Sequence, residues 1–193
     1  DDAAMSKPRI LGGSAKGMSL DTPARGTRPS PSRLREALFD ALQFRERGPF
    51  LDLYAGSGAV GLEAASRGFP ATLVELDRAA AEVLRRNARR LGVRAEIVQR
   101  DALAVARERP AAYEVVFAAP PYPLDLVSIF ADVVRAGPAR PGGTYVFQHP
   151  AKLDVAAALG ALAAGAGLDG APTVRRYGSN ALTRIGVLAR SCG

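Results

Sequence analysis

A glycine-rich segment in the first third of the chain has the spacing of a site for a nucleotide-type ligand. The run Gly56-Ser57-Gly58-Ala59-Val60-Gly61 fits the pattern G-x-G-x-x-G, directly after an apolar segment and before a helical one. Gly56 permits a tight turn, Gly58 lets the backbone approach a ligand, and the N–H groups at the helix start are free to bind it. The loop by itself suits a dinucleotide almost as well as other nucleotide-type cofactors.

Acidic residues near the predicted strand ends narrow this choice. Asp52 lies within the first predicted strand, Glu75 ends the second, and Asp101 follows the third. A carboxylate at the end of the second strand accepts hydrogen bonds from ribose hydroxyls, and Asp101 is placed to meet an adenine amino group. Glu75 suits a dinucleotide almost as well, whereas Asp52 resembles the acid that methyltransferases carry near the methionine end of the cofactor. Asp52 and Asp101 therefore favour S-adenosylmethionine over NAD.

The segment after the fourth predicted strand, Ala119-Pro120-Pro121-Tyr122, indicates the chemistry. The lone pair of an exocyclic amine on a base is delocalised into the ring, so acceptors around its N–H groups are needed to make it nucleophilic. Consecutive prolines remove backbone donors and present carbonyls in a rigid turn. An aromatic ring beside them offers a face for a flipped base. This segment therefore predicts an amino-methyltransferase and has no role in a dehydrogenase.

These groups must be positioned by a regular alternation of strands and helices from residue 50 onward. We predict strands at 50–54, 71–75, 95–99, 113–117, 143–147, 173–177 and 182–189, and helices at 59–67, 78–91, 124–136 and within 153–164. Residues 9–20 predict two short strands around a glycine turn, followed by a helix with Ser30 as N-cap and Pro31 at its first position. Near-continuous apolar strands separated by helices predict a mostly parallel, doubly wound sheet.

Composition and length are those of one globular domain. The 193 residues are 48% hydrophobic and 23% charged, without an apolar run of the roughly 20 residues that a membrane helix requires. A single cysteine, Cys192, fits a reducing cytoplasm. We expect residues 1–6 to be a cloning remnant or disordered start, 7–48 a basic extension, and 49–193 the catalytic core; we expect a monomer without a metal.

Positive charge is concentrated before the core. Seven of the chain's basic residues and one acid, Asp21, lie between residues 7 and 35, which gives +6 of the net +7. Such clustering favours contact with a phosphate backbone over a solvated basic arm. Charge alone does not distinguish RNA from DNA.

At this point the sequence resembles the RsmD-type 16S ribosomal RNA guanine-N2 methyltransferases, of the Rossmann-like class. The resemblance runs through Arg9–Gly13, Pro23–Pro29, Arg33–Phe39, Leu51–Ala64 and Val74–Asp77. It implies a seven-stranded mixed sheet with an antiparallel last strand, helices on both faces and a small N-terminal hairpin. It also implies methyl transfer to the N2 amine of a guanine, guanine 966, in 16S rRNA or the assembling 30S subunit. The expected cofactor contacts are Asp52, Tyr54, Gly56, Ser57, Gly58, Glu75, Leu76, Asp101 and Ala102, and the expected RNA contacts are Arg9, Lys16, Arg25, Arg28 and Arg33.

One position departs from the family pattern. The family usually has Asp-Pro-Pro-Tyr, whereas Ala119 precedes the prolines here. Backbone carbonyls then have to hold the amine, or another acid such as Asp125 replaces the carboxylate, or the chain binds RNA without catalysis. DNA adenine-N6 methylation is a further alternative, since the Pro-Pro-Tyr segment serves both purine amines. We expect His149 to be a structural hydrogen-bonding group and Tyr177 a packed aromatic.

Overall fold

The computed structural model describes residues 7–24 and 29–191. The helices are α1 (Ser32–Leu42), α2 (Gly61–Ser66), α3 (Arg78–Leu91), α4 (Ala102–Glu108), α5 (Leu126–Ala136) and α6 (Val155–Ala166). The strands are β1 (Phe50–Leu53), β2 (Ala71–Val74), β3 (Ala95–Val98), β4 (Tyr113–Ala118), β5 (Ala139–Pro150), β6 (Leu168–Tyr177) and β7 (Asn180–Val187). None of these helices is both long and apolar enough to cross a membrane.

All seven strands form one sheet in the order β3-β2-β1-β4-β5-β7-β6. Strands β1 to β5 pair in parallel, and β7 is antiparallel to both of its neighbours, β5 and β6. Six strands therefore run in one direction and the last one in the other, which confirms the predicted mixed sheet. The register of β6 against β7 shifts between Asp169 and Thr173.

Helices cover both faces of the sheet, and each face has its own apolar core. Residues of α1, α2 and α3 pack with Phe50 and Phe117 on one face. Residues of α4, α5 and α6 pack with Leu51, Leu53 and Val116 on the other. Because successive strand residues point to opposite faces, Asp52 faces the same side as Phe50, where α2 lies. The central strands β1 and β4 are buried at every residue, which explains their near-continuous apolar sequences.

Several element boundaries differ from the sequence predictions. Helix α4 was not predicted, because its seven residues include only three buried ones and give no sustained helical period. The first helix begins at Ser32 with Pro31 as N-cap, and no side chain caps it. Ser30, predicted as the cap, instead donates its hydroxyl hydrogen to Gln148 Oε1 at 2.6 Å. Strand β5 starts four residues before the predicted one.

The predicted N-terminal hairpin is present in short form, as one antiparallel bridge between Arg9 and Ser19. On either side of the bridge, Ile10 N–H donates to Met18 O at 2.9 Å and Leu20 N–H donates to Pro8 O at 2.8 Å. Other polar groups of this segment bond to helices of the core. The Asn87 side chain pairs with the backbone N–H and carbonyl of Asp21 at 3.1 and 2.9 Å, and Ser66 Oγ bonds to Gly12 O and Ala15 N. A Cβ on Gly13 would lie 1.9 Å from the Ser66 carbonyl oxygen, so only glycine fits this close approach.

A buried carboxylate, Glu63 on α2, is the main anchor for the N-terminal segment. It is fully buried and accepts hydrogen bonds from the backbone N–H groups of Leu11 and Gly12 at 2.7 and 3.0 Å. It also pairs with Arg35 at 3.2 Å and with Arg67 at 3.0 Å. Since the Arg35 side chain is only 2% exposed, neither charge is solvated and each depends on the other.

We expect Glu63→Gln to lower the free energy of unfolding by about 3 kcal/mol, because it leaves the Arg35 charge buried without its counter-ion. Urea denaturation of both proteins measures the difference. The control is Glu82→Gln, which removes an exposed carboxylate paired with Arg78 on α3 and should change stability by less than about 0.5 kcal/mol. A loss below about 1 kcal/mol for Glu63→Gln would contradict the anchoring role.

Candidate active site

The carboxyl ends of the parallel strands meet at one edge of the sheet and enclose two adjoining cavities. The larger has a volume of about 430 Å³ and the smaller about 200 Å³. Both are lined by Tyr54, Ala119 and Pro121, the residues that follow β1 and β4. Ligands of doubly wound proteins bind at this edge, where neighbouring connections leave in opposite directions. The cavities therefore lie where a nucleotide-type cofactor is expected.

The floor of the larger cavity is formed by Asp52, which is 1% exposed. Its Oδ2 accepts the backbone N–H of Gly61 at 2.9 Å, which fixes the start of α2. Its Oδ1 has no hydrogen-bond partner among the described residues. Burial raises the pKa of Asp52 to about 8, the Gly61 hydrogen bond opposes the rise, and the charge of Glu75 adds to it. A buried acceptor without a partner fits a cationic or N–H-bearing ligand group.

The glycine loop is shaped by backbone geometry and packing. Gly56 has φ 57° and donates its N–H to Glu75 Oε1 at 3.0 Å. Gly58 has φ 83°, and a Cβ there would lie 2.4 Å from Leu84 Cδ2 on α3. Gly58 does not line either cavity, so packing against α3 accounts for this glycine, whereas the sequence suggested an approach to the ligand. Ser57 does line the larger cavity.

Polar and apolar groups alternate around the smaller cavity. Glu75 holds both oxygens toward backbone N–H groups, of Gly56 and of Asp77, and Asp101 caps α4 by accepting Ala104 N–H at 2.9 Å. Leu76 is 67% exposed and Leu124 is 49% exposed, although both line this cavity. Exposed leucines beside a cavity suit the faces of a flat heterocycle. Leu124 was missed because the sequence predicted it as the first residue of the helix at 124–136. Ala102, one of the expected cofactor contacts, also lines this cavity.

The Pro-Pro-Tyr segment forms the boundary between the two cavities. Pro120, Pro121 and Tyr122 line the larger cavity together with Ala119. The Pro121 carbonyl accepts Leu124 N–H at 3.2 Å within the turn. Among the described residues, no backbone N–H donates to the carbonyls of Ala119 or Pro120. Two of the expected acceptor carbonyls therefore remain available beside the cavity.

The far wall of the larger cavity is polar and was not found in the sequence. Ser30, Gln148, Ser179 and Asn180 line it. The Tyr122 hydroxyl donates a hydrogen bond to Asn180 Oδ1, so the segment after β4 is tied to the turn between β6 and β7. Isolated Ser, Gln and Asn residues far apart in the sequence give no motif, and only the sheet register brings them together.

The basic residues of the N-terminal extension differ in their exposure to solvent. Arg9, Lys16 and Arg33 are exposed, and Arg9 also donates to the Gly17 carbonyl at 2.8 Å. Arg25 and Arg28 lie outside the described residues. Arg35, which contributed to the basic cluster in the sequence, is 1% exposed and bonded to Glu63, so it cannot meet a phosphate. Pro29 and Ser30 bring the end of this extension to the larger cavity.

The remaining candidates lie outside the site. His149 is buried, with Nδ1 2.8 Å from Pro150 O and Nε2 2.7 Å from Thr183 Oγ1, which is the expected structural role. Tyr177 packs against the core of the α1 face, as expected. Asp125 caps α5 by accepting the Ser128 N–H at 3.2 Å and lines neither cavity, so it does not replace the missing carboxylate. The described part of the chain contains no cluster of three or more His, Cys, Asp or Glu residues that could hold a metal.

Comparison with known proteins identifies the family. The model of the family described as "Conserved hypothetical protein 95" matches residues 8–165. The chain belongs to this family. The ribosomal RNA small subunit methyltransferase D of Escherichia coli K12 is 39% identical over 118 residues, which cover 59% of this chain and 60% of that relative. The match thus spans less than two thirds of the relative's length. The resemblance of this chain to the RsmD-type methyltransferases is confirmed.

Solved structures extend the similarity over nearly the whole chain. A hypothetical protein of Thermus thermophilus is 44% identical, with a TM-score of 0.80 over 93% of this chain and 99% of that one. The T. thermophilus 16S rRNA N2 G1207 methyltransferase, solved with AdoMet and guanosine, has a TM-score of 0.71 at 21% identity and covers 94% of this chain and 50% of that one. This second likeness concerns the fold alone, which agrees with the predicted α/β fold and its seven-stranded mixed sheet.

The buried Asp52 predicts an unusual dependence of stability on pH. Its pKa is raised from 3.8 to about 8, so between about pH 4 and pH 8 the folded protein holds a proton that the unfolded chain has lost. Stability relative to Asp52→Asn should therefore fall as pH rises through this window, by up to about 1.4 kcal/mol per pH unit, and level off above about pH 8.

Urea denaturation of wild type and Asp52→Asn at each pH from 5 to 9 measures this dependence. The control is Asp40→Asn, at an exposed position on α1, whose difference from wild type should stay constant above pH 5. A difference for Asp52→Asn that does not change with pH would show that the buried carboxylate is ionised throughout.

Proposed function

We propose that the protein is an S-adenosylmethionine-dependent methyltransferase that acts on the exocyclic N2 amine of a guanine in small-subunit ribosomal RNA. The proposed target is guanine 966 of 16S rRNA. The observation that carries the proposal is the pair of cavities that join at the Ala119–Tyr122 segment. One cavity has the lining expected for a nucleoside, and the other has room for a methionine group and an acceptor base.

The residues present fit S-adenosylmethionine. The partnerless Asp52 oxygen suits the α-ammonium group of the methionine part, which would also favour ionisation of that carboxyl. Glu75 would accept hydrogen bonds from the ribose hydroxyls, and the exposed Leu76 and Leu124 would contact the adenine ring. When bound, this cofactor supplies an electrophilic methyl group on a sulfonium, whose sulfur keeps the bonding electrons when the methyl group leaves.

The chain's own residues would prepare the acceptor amine. The unengaged carbonyls of Ala119 and Pro120 would accept the amine N–H groups, which favours the pyramidal nitrogen whose lone pair can attack in line. Tyr122 is 43% exposed at the rim, and its hydroxyl is held by Asn180, so its ring offers a fixed face for stacking. The amine proton would leave to water after the new N–C bond forms.

Two observations favour RNA as the substrate. The exposed Arg9, Lys16 and Arg33 belong to the same extension whose residues Pro29 and Ser30 line the larger cavity, and exposed cations of this kind would bind a phosphate backbone. The E. coli relative is named for methylation of ribosomal RNA. A duplex with its bases stacked would have to be opened before an amine reached Pro120, at a cost of a few kcal/mol.

Radiolabel transfer from S-adenosylmethionine tests the function directly. Unmodified small ribosomal subunits, free 16S rRNA and duplex DNA are incubated with the enzyme in parallel, and the labelled nucleoside is identified after digestion. We expect label in N2-methylguanosine from the RNA-containing samples. Label confined to N6-methyladenine of DNA would replace the RNA proposal, and the absence of label from all three, with S-adenosylhomocysteine still bound, would indicate a non-catalytic protein.

Ala119 gives a second test, because a carboxylate there would accept a hydrogen bond from the amine. We expect Ala119→Asp to raise the single-turnover rate by about tenfold, equivalent to one charge-assisted hydrogen bond of about 1.4 kcal/mol in the transition state. Affinity for S-adenosylhomocysteine, measured by calorimetry, should change less than about threefold. A slower Ala119→Asp enzyme with normal cofactor affinity would show that the pocket is adapted to the small side chain.

A further inference from the structure

The polar wall of the larger cavity has a defined pattern of donors and acceptors. Its two amide side chains, Gln148 and Asn180, each have the oxygen already engaged by a hydroxyl. Ser30 donates to Gln148 Oε1 at 2.6 Å, and Tyr122 donates to Asn180 Oδ1. With the oxygens held in this way, the amide N–H2 groups are left as the groups that can meet a ligand.

The remaining donor capacity can be counted. Among the described residues, the N–H2 group of Asn180 donates no hydrogen bond. The Gln148 side chain opposes the rise in the pKa of the Tyr122 hydroxyl that burial causes, and it lines the larger cavity together with Tyr122 and Asn180. Gln148 is 7% exposed and lines the larger cavity, so a ligand that enters the cavity can accept from its amide N–H2 group.

Purine bases differ in what they present to such a wall. Beyond the reactive N2 amine, guanine carries two acceptors, O6 and N7, whereas adenine carries N7 and an amino donor. Donor groups opposite O6 would each gain a hydrogen bond with guanine and would oppose the amino group of adenine. When a guanine enters the cavity with its N2 amine at Ala119–Pro120, a different edge of the base faces the polar wall formed by Gln148 and Asn180.

We propose that Gln148 and Asn180 determine the base specificity of the enzyme by donating amide hydrogen bonds to O6 and N7 of the target guanine. This inference rests on the proposed methyltransferase function. Neither residue would take part in the transfer itself. The register of β5 and β7 places the two side chains near each other, because Asn180 lies opposite Pro150, two residues beyond Gln148.

The test uses two acceptors that differ at O6 and at the adjacent N1, which carries a hydrogen only in guanine. An RNA fragment carries at the target position either guanine or 2-aminopurine, which keeps the N2 amine and lacks O6. The measured quantity is the ratio of kcat/KM for the two RNAs, in which general losses of folding or RNA affinity cancel. Wild type should prefer guanine by about tenfold or more, as expected for a lost hydrogen bond with an unpaired donor.

Gln148→Glu and Asn180→Asp remove the N–H2 groups but keep the oxygens that accept from Ser30 and Tyr122. Each variant should reduce the guanine preference at least fivefold, mainly through the guanine substrate. The matched control is Gln43→Glu at an exposed position after α1, which should leave the ratio unchanged. A wild-type ratio near one, or a ratio unchanged in both variants, overturns the specificity assignment while methylation itself stands. No transfer to any guanine by wild type overturns the proposed function and this inference together.

Discussion

The buried carboxylate of Glu63 holds together the parts of the molecule that the site requires. It lies in the first turn of α2, the helix that the glycine loop opens, and its four donors come from three directions: the backbone at Leu11 and Gly12, Arg35 on α1 and Arg67 beyond α2. A buried charge tolerates little displacement, because each lost hydrogen bond leaves part of it unsolvated. The N-terminal extension is therefore fixed in position relative to the cofactor loop.

The same helix is held from below by a second carboxylate. Asp52 accepts the N–H of Gly61 at the start of α2. The first turn of α2 is therefore fixed by Asp52 through the backbone of Gly61 and by the hydrogen bonds of the Glu63 side chain. A Cβ on Gly61 would lie 2.8 Å from the Asp52 oxygen, which explains the third glycine of the loop as a packing requirement. These contacts fix the backbone conformation of the glycine loop that precedes α2, so the loop is preorganised for a ligand.

Much of this arrangement could be predicted from sequence where the signals are local. The apolar strands, the glycine loop and the stop of α3 at Gly92 all depend on neighbours in the chain, and α3 begins and ends at the predicted residues. The contacts that hold the short N-terminal hairpin against the core could not be predicted, because Asn87 and Ser66 lie more than 50 residues away in the sequence. Arg35 was counted with the solvent-facing charges because its partner, Glu63, looks in the sequence like one more polar residue of an amphipathic helix. The polar wall of Gln148 and Asn180 likewise depends on strand register.

The irregular pairing of β6 has a consequence for self-association. This strand is the outer edge of the sheet, and an exposed edge with free N–H and C=O groups can template the addition of a strand from another molecule. Pro172 lacks an N–H, and the register shift between Asp169 and Thr173 interrupts the ladder beside it. Further along, the exposed Arg175 and Arg176 would bring like charges together if two such edges met. The sequence of β6 thus disfavours the addition of a further strand, and this edge of the sheet can remain unpaired without becoming a site of aggregation.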